Sequence, residues 1–396
     1  MERRDFIRTT ALGVAAAAVG ADVARATAAQ DAGATQGAAT PDAAGQHALA
    51  GREQSAAAQA GASEAVIHAL MDQAQGGVLP AASGLVTASI AQNPEMKYRT
   101  LGRTGERMSL VGLGGFHLAK PGGATSEEAV RLVHAAIEAG INFCDNCWDY
   151  NGGESEVRLG RALSQGGYRN RTFLMTKIDG RTARAATDQI EESLRRLRTD
   201  HLDLLQFHEI IRMGDPKRVF AQGGALEAVL RAREQGKLRY IGFTGHKSPA
   251  IHRHMFEVAE AHGFRFDTVQ MPLNVMDAHY DSFEQGVLPV ALAHGTAVLG
   301  MKTFGDPFIL DSGVATPAEM LHYPMSLPVS IQVCGIDKPE ILAQALDAVR
   351  SFVPPTDAEH TALLWRTAAK AKDGSTERYK VSDHFDGTVQ NPHWLG

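Results

Sequence analysis

The sequence predicts one α/β domain, a single (β/α)8 TIM barrel with an N-terminal β-hairpin, behind a long segment that builds no core. Three observations carry this. Of 15 Phe, 7 Tyr and 3 Trp in 396 residues, only Phe6 precedes Lys97, so large side chains to bury begin there. Beyond Lys97, short apolar runs alternate about eight times with segments of 3.6-residue periodicity, the mark of parallel strands joined by crossover helices. Several of those runs end in a polar or ionisable residue, and in a parallel barrel all strand ends open on one face.

The chain opens Glu2-Arg3-Arg4-Asp5-Phe6-Ile7-Arg8, continues through an apolar stretch from Ala11 to Ala21, and reaches Ala24-Arg25-Ala26. Basic, then apolar, then a small-residue cleavage site is the order of an export signal. The paired arginines resemble the twin-arginine type, whose translocon carries folded proteins. Residues 1–29 are therefore expected to be a signal peptide, and an extracytoplasmic or periplasmic destination follows. Residues 30–94 are expected to be a disordered linker: Ala, Gly, Gln, Ser and Thr cannot bury enough apolar area to offset chain entropy. Within them only Ser63–Gln75 has apolar residues at helical spacing.

Charge and cysteine content narrow the partners. The net charge is −6 and five basic residues face nine acidic ones before Lys97, so no basic field exists to neutralise nucleic-acid phosphates. No run near 18 apolar residues is present, so no stable membrane insertion is expected, and three cysteines make no disulfide framework. The protein is expected to act as a monomer.

Residues 95–396 form the body. Tyr98–Leu101 and Arg107–Ser109, around Gly102 to Gly105, read as the hairpin. The barrel strands are expected at Leu110–Leu113, Ile141–Asp145, Thr172–Lys177, Leu202–Phe207, Leu238–Phe243, Asp267–Met271, Ala297–Met301 and Val329–Cys334. Thr125 with Glu128 reads as a capping box opening the first helix, and Gly140 closes it before Ile141. A doubly wound sheet would instead need a glycine-rich turn opening a helix, and Gly112-Leu113-Gly114-Gly115 has the wrong spacing. The helix Pro249 to His262 carries His252-Arg253-His254, expected on its solvated surface. A C-terminal helix and tail complete the body, the tail from Tyr379 reading as a strap over the barrel or a wall of its mouth.

Asp145 ends the second strand, Lys177 the third and His208 the fourth, and Tyr150 follows Asp145 by five residues. Each alone has a bland reading as a cap, a snorkelling lysine or a core histidine. Together they form a proton-transfer set: an ammonium held charged by Asp145 stabilises the phenolate of Tyr150, and His208 orients a carbonyl oxygen. Cys144 and Cys147 flank Asp145 and are expected to act as small hydrophobes; with no second cysteine pair, no metal is expected.

These residues resemble the aldo-keto reductase family. The hairpin Tyr98-Arg99-Thr100-Leu101-Gly102-Arg103-Thr104-Gly105, the stretch Gly140-Ile141-Asn142-Phe143-Cys144-Asp145 through Tyr150 to Gly160, and Asp200-His201-Leu202-Asp203-Leu204 carry the likeness. The resemblance implies Asp145, Tyr150, Lys177 and His208 as catalytic tetrad, and hydride transfer between a nicotinamide and an aldehyde, ketone or sugar carbonyl. It places cofactor contacts at Thr244, Gln270, Met301, Lys302, Gly335, Asp337, Lys338 and Gln344. Departures occur after the fifth strand, where Thr244-Gly245-His246 replaces an amide-bearing pair, and at Met301, which replaces an aromatic stacking residue. Lys338 favours NADP(H) and Asp337 leaves NAD(H) open. These departures motivate the alternative of a non-catalytic nucleotide-binding or regulatory protein on the same barrel.

Overall fold

The computed structural model describes residues 93–396; the expected signal peptide, nearly all of the expected linker and the Ser63–Gln75 helix lie outside the described residues. Two strands, β1 (Tyr98–Thr100) and β2 (Arg107–Ser109), pair antiparallel with Tyr98 opposite Ser109. Eight more follow: β3 (Val111–Gly114), β4 (Phe143–Asp145), β5 (Phe173–Ile178), β6 (Leu202–Phe207), β7 (Leu238–Thr244), β8 (Thr268–Pro272), β9 (Ala297–Met301) and β10 (Ile331–Gly335). They form a closed barrel in sequence order, every pairing parallel, sealed where β10 meets β3.

Helices on the outer face bury apolar stripes against the strands. Thr125 and Glu128 make the capping box of the helix Ser126–Glu138, whose Ala129, Val133 and Ala136 are fully buried. Gly140 follows at φ +100°, a left-handed position where a side chain would also meet Asn93.

Side chains alternate in and out along each strand, and that alternation builds both ends of the barrel. Phe143, Phe173, Met175, Leu204, Leu299, Ile331 and Val333 point inward and pack with Leu101 and Met108 of the hairpin, which plugs the bottom. Two residues further along the same inward rows come Asp145, Lys177, Met301 and Gly335, and His208 continues the row of Leu204 and Gln206. A strand that buries phenylalanine at its start is obliged by the pleat to present its polar end residue at the opposite mouth. Inside, space is tight: a side chain at Gly242 would run into the Thr268 hydroxyl, and one at Gly300 into the Gln332 amide.

Strand boundaries depart from the sequence expectation by one or two residues at several places. β4 begins at Phe143 instead of Ile141, and β10 at Ile331 instead of Val329. For β4 the reason is local. Asn142 accounts for this: its side chain accepts from Ser109 N and donates to Arg107 O, tying the chain to the hairpin where a ladder would have begun. The expectation for His252 fails. It is fully buried, its ring 5.2 Å from Phe243 and 5.0 Å from Phe283, and burial drives its pKa down to about 3. Only Arg253 of that trio is exposed.

Candidate active site

Asp145, Lys177, Tyr150 and His208 meet at the C-terminal mouth. Lys177 Nζ contacts Asp145 Oδ1 directly, donates to Asn146 O at 2.8 Å, and lies 3.0 Å from Tyr150 Oη. The ammonium also sits 4.5 Å from the centre of the Tyr150 ring. The second carboxylate oxygen of Asp145 accepts from Gln270 Nε2 at 2.6 Å. The Tyr150 ring is edge-on to His208 with centroids 5.8 Å apart. Residues from β4, β5, the position just after β6 and the β4 loop are thus one connected group, with Gln270 of β8 attached.

Electrostatics around Tyr150 are more acidic than the tetrad alone would make them. Burial, then Asp145, Cys147, Asp149 and Glu209, hold its hydroxyl well above the ordinary phenol value. Burial opposes charge on His208, yet Asp149 and Asp179 outweigh it and raise its pKa. Asp149 is itself raised, to about 6, by burial and by Asp179. Near neutrality Tyr150 is therefore protonated, with Lys177 Nζ beside its hydroxyl.

Sequence reasoning missed Asp149, Asp179 and Glu209. His208 Nδ1 lies 2.9 Å from Asp179 Oδ1, 3.6 Å from Asp149 Oδ1 and 3.2 Å from Cys147 Sγ. The signal was adjacency: Asp149 precedes Tyr150, Glu209 follows His208, and Asp179 lies one inward position beyond Lys177. The three cysteines of the chain are buried and free; Cys144 packs in the core, while Cys147 belongs to the mouth.

The expected cofactor contacts divide into two groups. Gln270 Oε1 is buried and has no hydrogen-bond partner among the described residues, although Nε2 of the same side chain is committed to Asp145. Thr244 is buried at the end of β7, but His246 is bound by the tail, Nε2 to Asp386 Oδ1 at 2.8 Å. Met301 is half-buried at the end of β9. Lys302, at φ +60°, lies over the rings of Tyr379 at 5.6 Å and Phe385 at 5.3 Å, and burial lowers its pKa. Gly335 is backed by His117, whose imidazole a side chain at that position would strike. Asp337 is half-buried, and Lys338 and Gln344 are exposed. Lys338 is the N-cap of the helix Pro339–Ser351 and makes no side-chain cap; Pro339 has no amide to offer, and Ile341 N and Leu342 N donate to Lys338 O.

The tail crosses this mouth. Gly387 N and Thr388 N donate to the two oxygens of Glu209 at 2.8 and 2.7 Å, Arg181 N donates to Leu395 O at 2.8 Å, and Trp394 lies edge-on to Trp148 at 5.5 Å. Lys380 is buried between Asp277 at 2.8 Å and Glu377 at 2.9 Å. Tail residues thus bond to the ends of β6 and β7 and to the loops beyond β5 and β8.

Comparison with known proteins agrees with the architecture. Residues 110–321 match the profile of the aldo/keto reductase family. The chain is 32% identical over 159 residues to L-galactose dehydrogenase of Arabidopsis thaliana, covering 38% of this chain and 49% of that one. It is 30% identical over 225 residues to 6-dehydroglucose reductase of Novosphingobium aromaticivorans, covering 52% and 69%. An aldo-keto reductase of Bacillus subtilis is 27% identical over 231 residues, covering 52% and 64%, so the chain spans about half to two thirds of these curated relatives. A holo-form aldo-keto reductase from Bacillus halodurans superposes with a TM-score of 0.58 at 21% identity, covering 70% of this chain and all of that one, which is a likeness of fold. The barrel and the family profile together show that this chain belongs to the aldo/keto reductase family.

Proposed function

We propose that the protein is a nicotinamide-dependent carbonyl reductase in which Tyr150 is the general acid. The observation that carries this is the unbroken contact chain from Asp145 through Lys177 to Tyr150 Oη, with His208 beside it. In reduction Tyr150 gives its proton to the carbonyl oxygen, and the Lys177 ammonium 3.0 Å away stabilises the phenolate left behind. Asp145 keeps Lys177 charged and in place. In oxidation the same phenolate takes the proton back. The raised pKa of Tyr150 matches an enzyme that rests in its acid form.

A bound nicotinamide supplies the hydride. Gln270 Oε1, an acceptor without a donor, fits a carboxamide N–H, and Thr244 stands on the neighbouring strand. Met301 would cover the ring and Lys302 would face the pyrophosphate, with Gly335 at the end of β10 closed against the His117 imidazole. The exposed Lys338 favours NADP(H), because a cation there attracts a phosphate; Asp337 and Gln344 would contact the ribose and adenine, an arrangement in which NAD(H) also binds. The substrate class is an aldehyde, a ketone or a sugar carbonyl, as the relatives' names suggest for their own reactions.

The test is cofactor oxidation by the purified body, residues 93–396, over a panel of aldehydes, ketones and sugars. We expect carbonyl-dependent loss of NADPH that Tyr150→Phe reduces by roughly 100- to 10,000-fold with cofactor affinity retained. Saturable cofactor binding with no turnover on any carbonyl would overturn the reading and favour a nucleotide-binding regulator.

A further inference from the structure

Three residues that the carbonyl chemistry leaves unused, Cys147, Asp149 and Asp179, make with His208 a group with the composition and spacing of a metal site. Cys147 Sγ, one oxygen each of Asp149 and Asp179, and His208 Nδ1 all lie within 4.8 Å of one another. The contacts at Nδ1 are 3.2 Å to sulfur and 2.9 and 3.6 Å to the two carboxylates. A tetrahedral zinc ion with bonds of about 2.0–2.3 Å has donor-to-donor edges of roughly 3.3–3.6 Å. The donors therefore stand close to where such an ion would need them.

Two further observations separate this from an ordinary cluster of acids. Asp179 is fully buried and its Oδ2 has no hydrogen-bond partner among the described residues; the buried Asp149 Oδ1 likewise has none. Fixed cations nearby are committed elsewhere. Lys177 is held by Asp145, and Arg181 donates to the main-chain carbonyls of Asp179, His208 and Glu209 and reaches Asp215. Two carboxylates are left in a buried pocket with one imidazole between them, an arrangement that calls for another positive charge.

We propose that Cys147, Asp149, Asp179 and His208 bind a zinc-class divalent ion beside the catalytic tyrosine. Thiolate, imidazole and two carboxylates make a mixed set suited to zinc and unsuited to magnesium or calcium. Binding would use Nδ1 of His208 and leave Nε2 for the substrate side, so the ion and the carbonyl chemistry share one ring without competing for one atom. Arg181, by fixing three carbonyls at 2.7–2.9 Å, holds the ligand-bearing loops in register. No second cysteine pair is required, which is why sequence spacing alone gave no sign of the site.

The test uses the untagged full chain, stripped with chelator, reloaded with zinc or cobalt(II), freed of excess metal and analysed by elemental mass spectrometry and absorbance. We expect one equivalent per chain and, for cobalt, a sulfur-to-metal charge-transfer band in the near ultraviolet. Cys147→Ser removes that band while Asp179→Asn keeps it, and both weaken binding at least tenfold. Wild-type protein that retains no metal after loading would overturn the proposal, and so would a cobalt spectrum unchanged in Cys147→Ser. Stoichiometry is read without carbonyl or nicotinamide, so a failed metal site and a failed reductase are distinguishable results.

Discussion

Asp145 and Lys177 are each almost completely buried, at 3% and 1% exposure, so neither charge can be left alone without cost. Removing one partner of a buried pair costs about 3–5 kcal/mol, whereas replacing both with neutral groups costs less. Asp145→Asn and Lys177→Met are each expected to lower the urea midpoint more than the double variant does, and a strictly additive double variant would contradict the coupling. That Asp145, Lys177 and His208 share one mouth is legible through the pleat, since each lies an even number of residues from an apolar inward neighbour; Tyr150 stands on the loop after β4, where the pleat places nothing. Asp149, Asp179 and Glu209 were not readable, because an acid beside a strand end has the same local pattern as a helix cap. His252 was misread for a related reason. Helical spacing separates 252, 253 and 254 onto different faces, but only packing against Phe243 and Phe283 shows which face turns inward.

Elements set the shape of the mouth. The strands were legible to within a residue or two since their inward rows are apolar over most of their length, and β4 shifted where the Asn142 side chain took over backbone bonding. The tail was legible only as a strap or a wall, because its anchors are polar and their partners are distant in sequence. Asp386 is the clearest anchor, bound by His246 at 2.8 Å and Lys247 at 2.6 Å. Burial works against its charge, and the hydrogen bonds from His246 and Lys247 more than offset that, holding its carboxyl below the ordinary aspartate range. A depressed carboxyl adds stability above the unfolded value near 3.8, and that stability disappears as pH falls through the lower folded value. Asp386→Asn is thus expected to cost about 1 kcal/mol between pH 5 and pH 7, with the gap to wild type closing below about pH 4. An equal gap at pH 3, read from urea midpoints, would contradict this role for the tail.

At the scale of the molecule, residues 93–396 account for a closed barrel with one acidic, largely buried mouth, and the family match shows which barrel it is. We propose that the segment before it is an export address read by a twin-arginine translocon, with the barrel folding and loading its nucleotide before transport. Arg3-Arg4→Lys-Lys is then expected to keep the protein in the cytoplasm, and an unchanged location in cell fractions would rule that out. The fold, and the meeting of Asp145, Lys177 and His208 at one mouth, are legible because both follow a simple rule repeated along the strands. Substrate choice is not, because it rests on loops and on a tail whose contacts run between residues far apart in the chain. The central claim is that this mouth moves a hydride to a carbonyl with Tyr150 as the acid. Its most direct test is to supply NADPH deuterated at the transferred C4 position and analyse the alcohol formed by mass spectrometry. One deuterium is expected at the former carbonyl carbon, formed by wild type and lost at least 100-fold in Tyr150→Phe. Alcohol without deuterium, or equal labelling by both proteins, would contradict it.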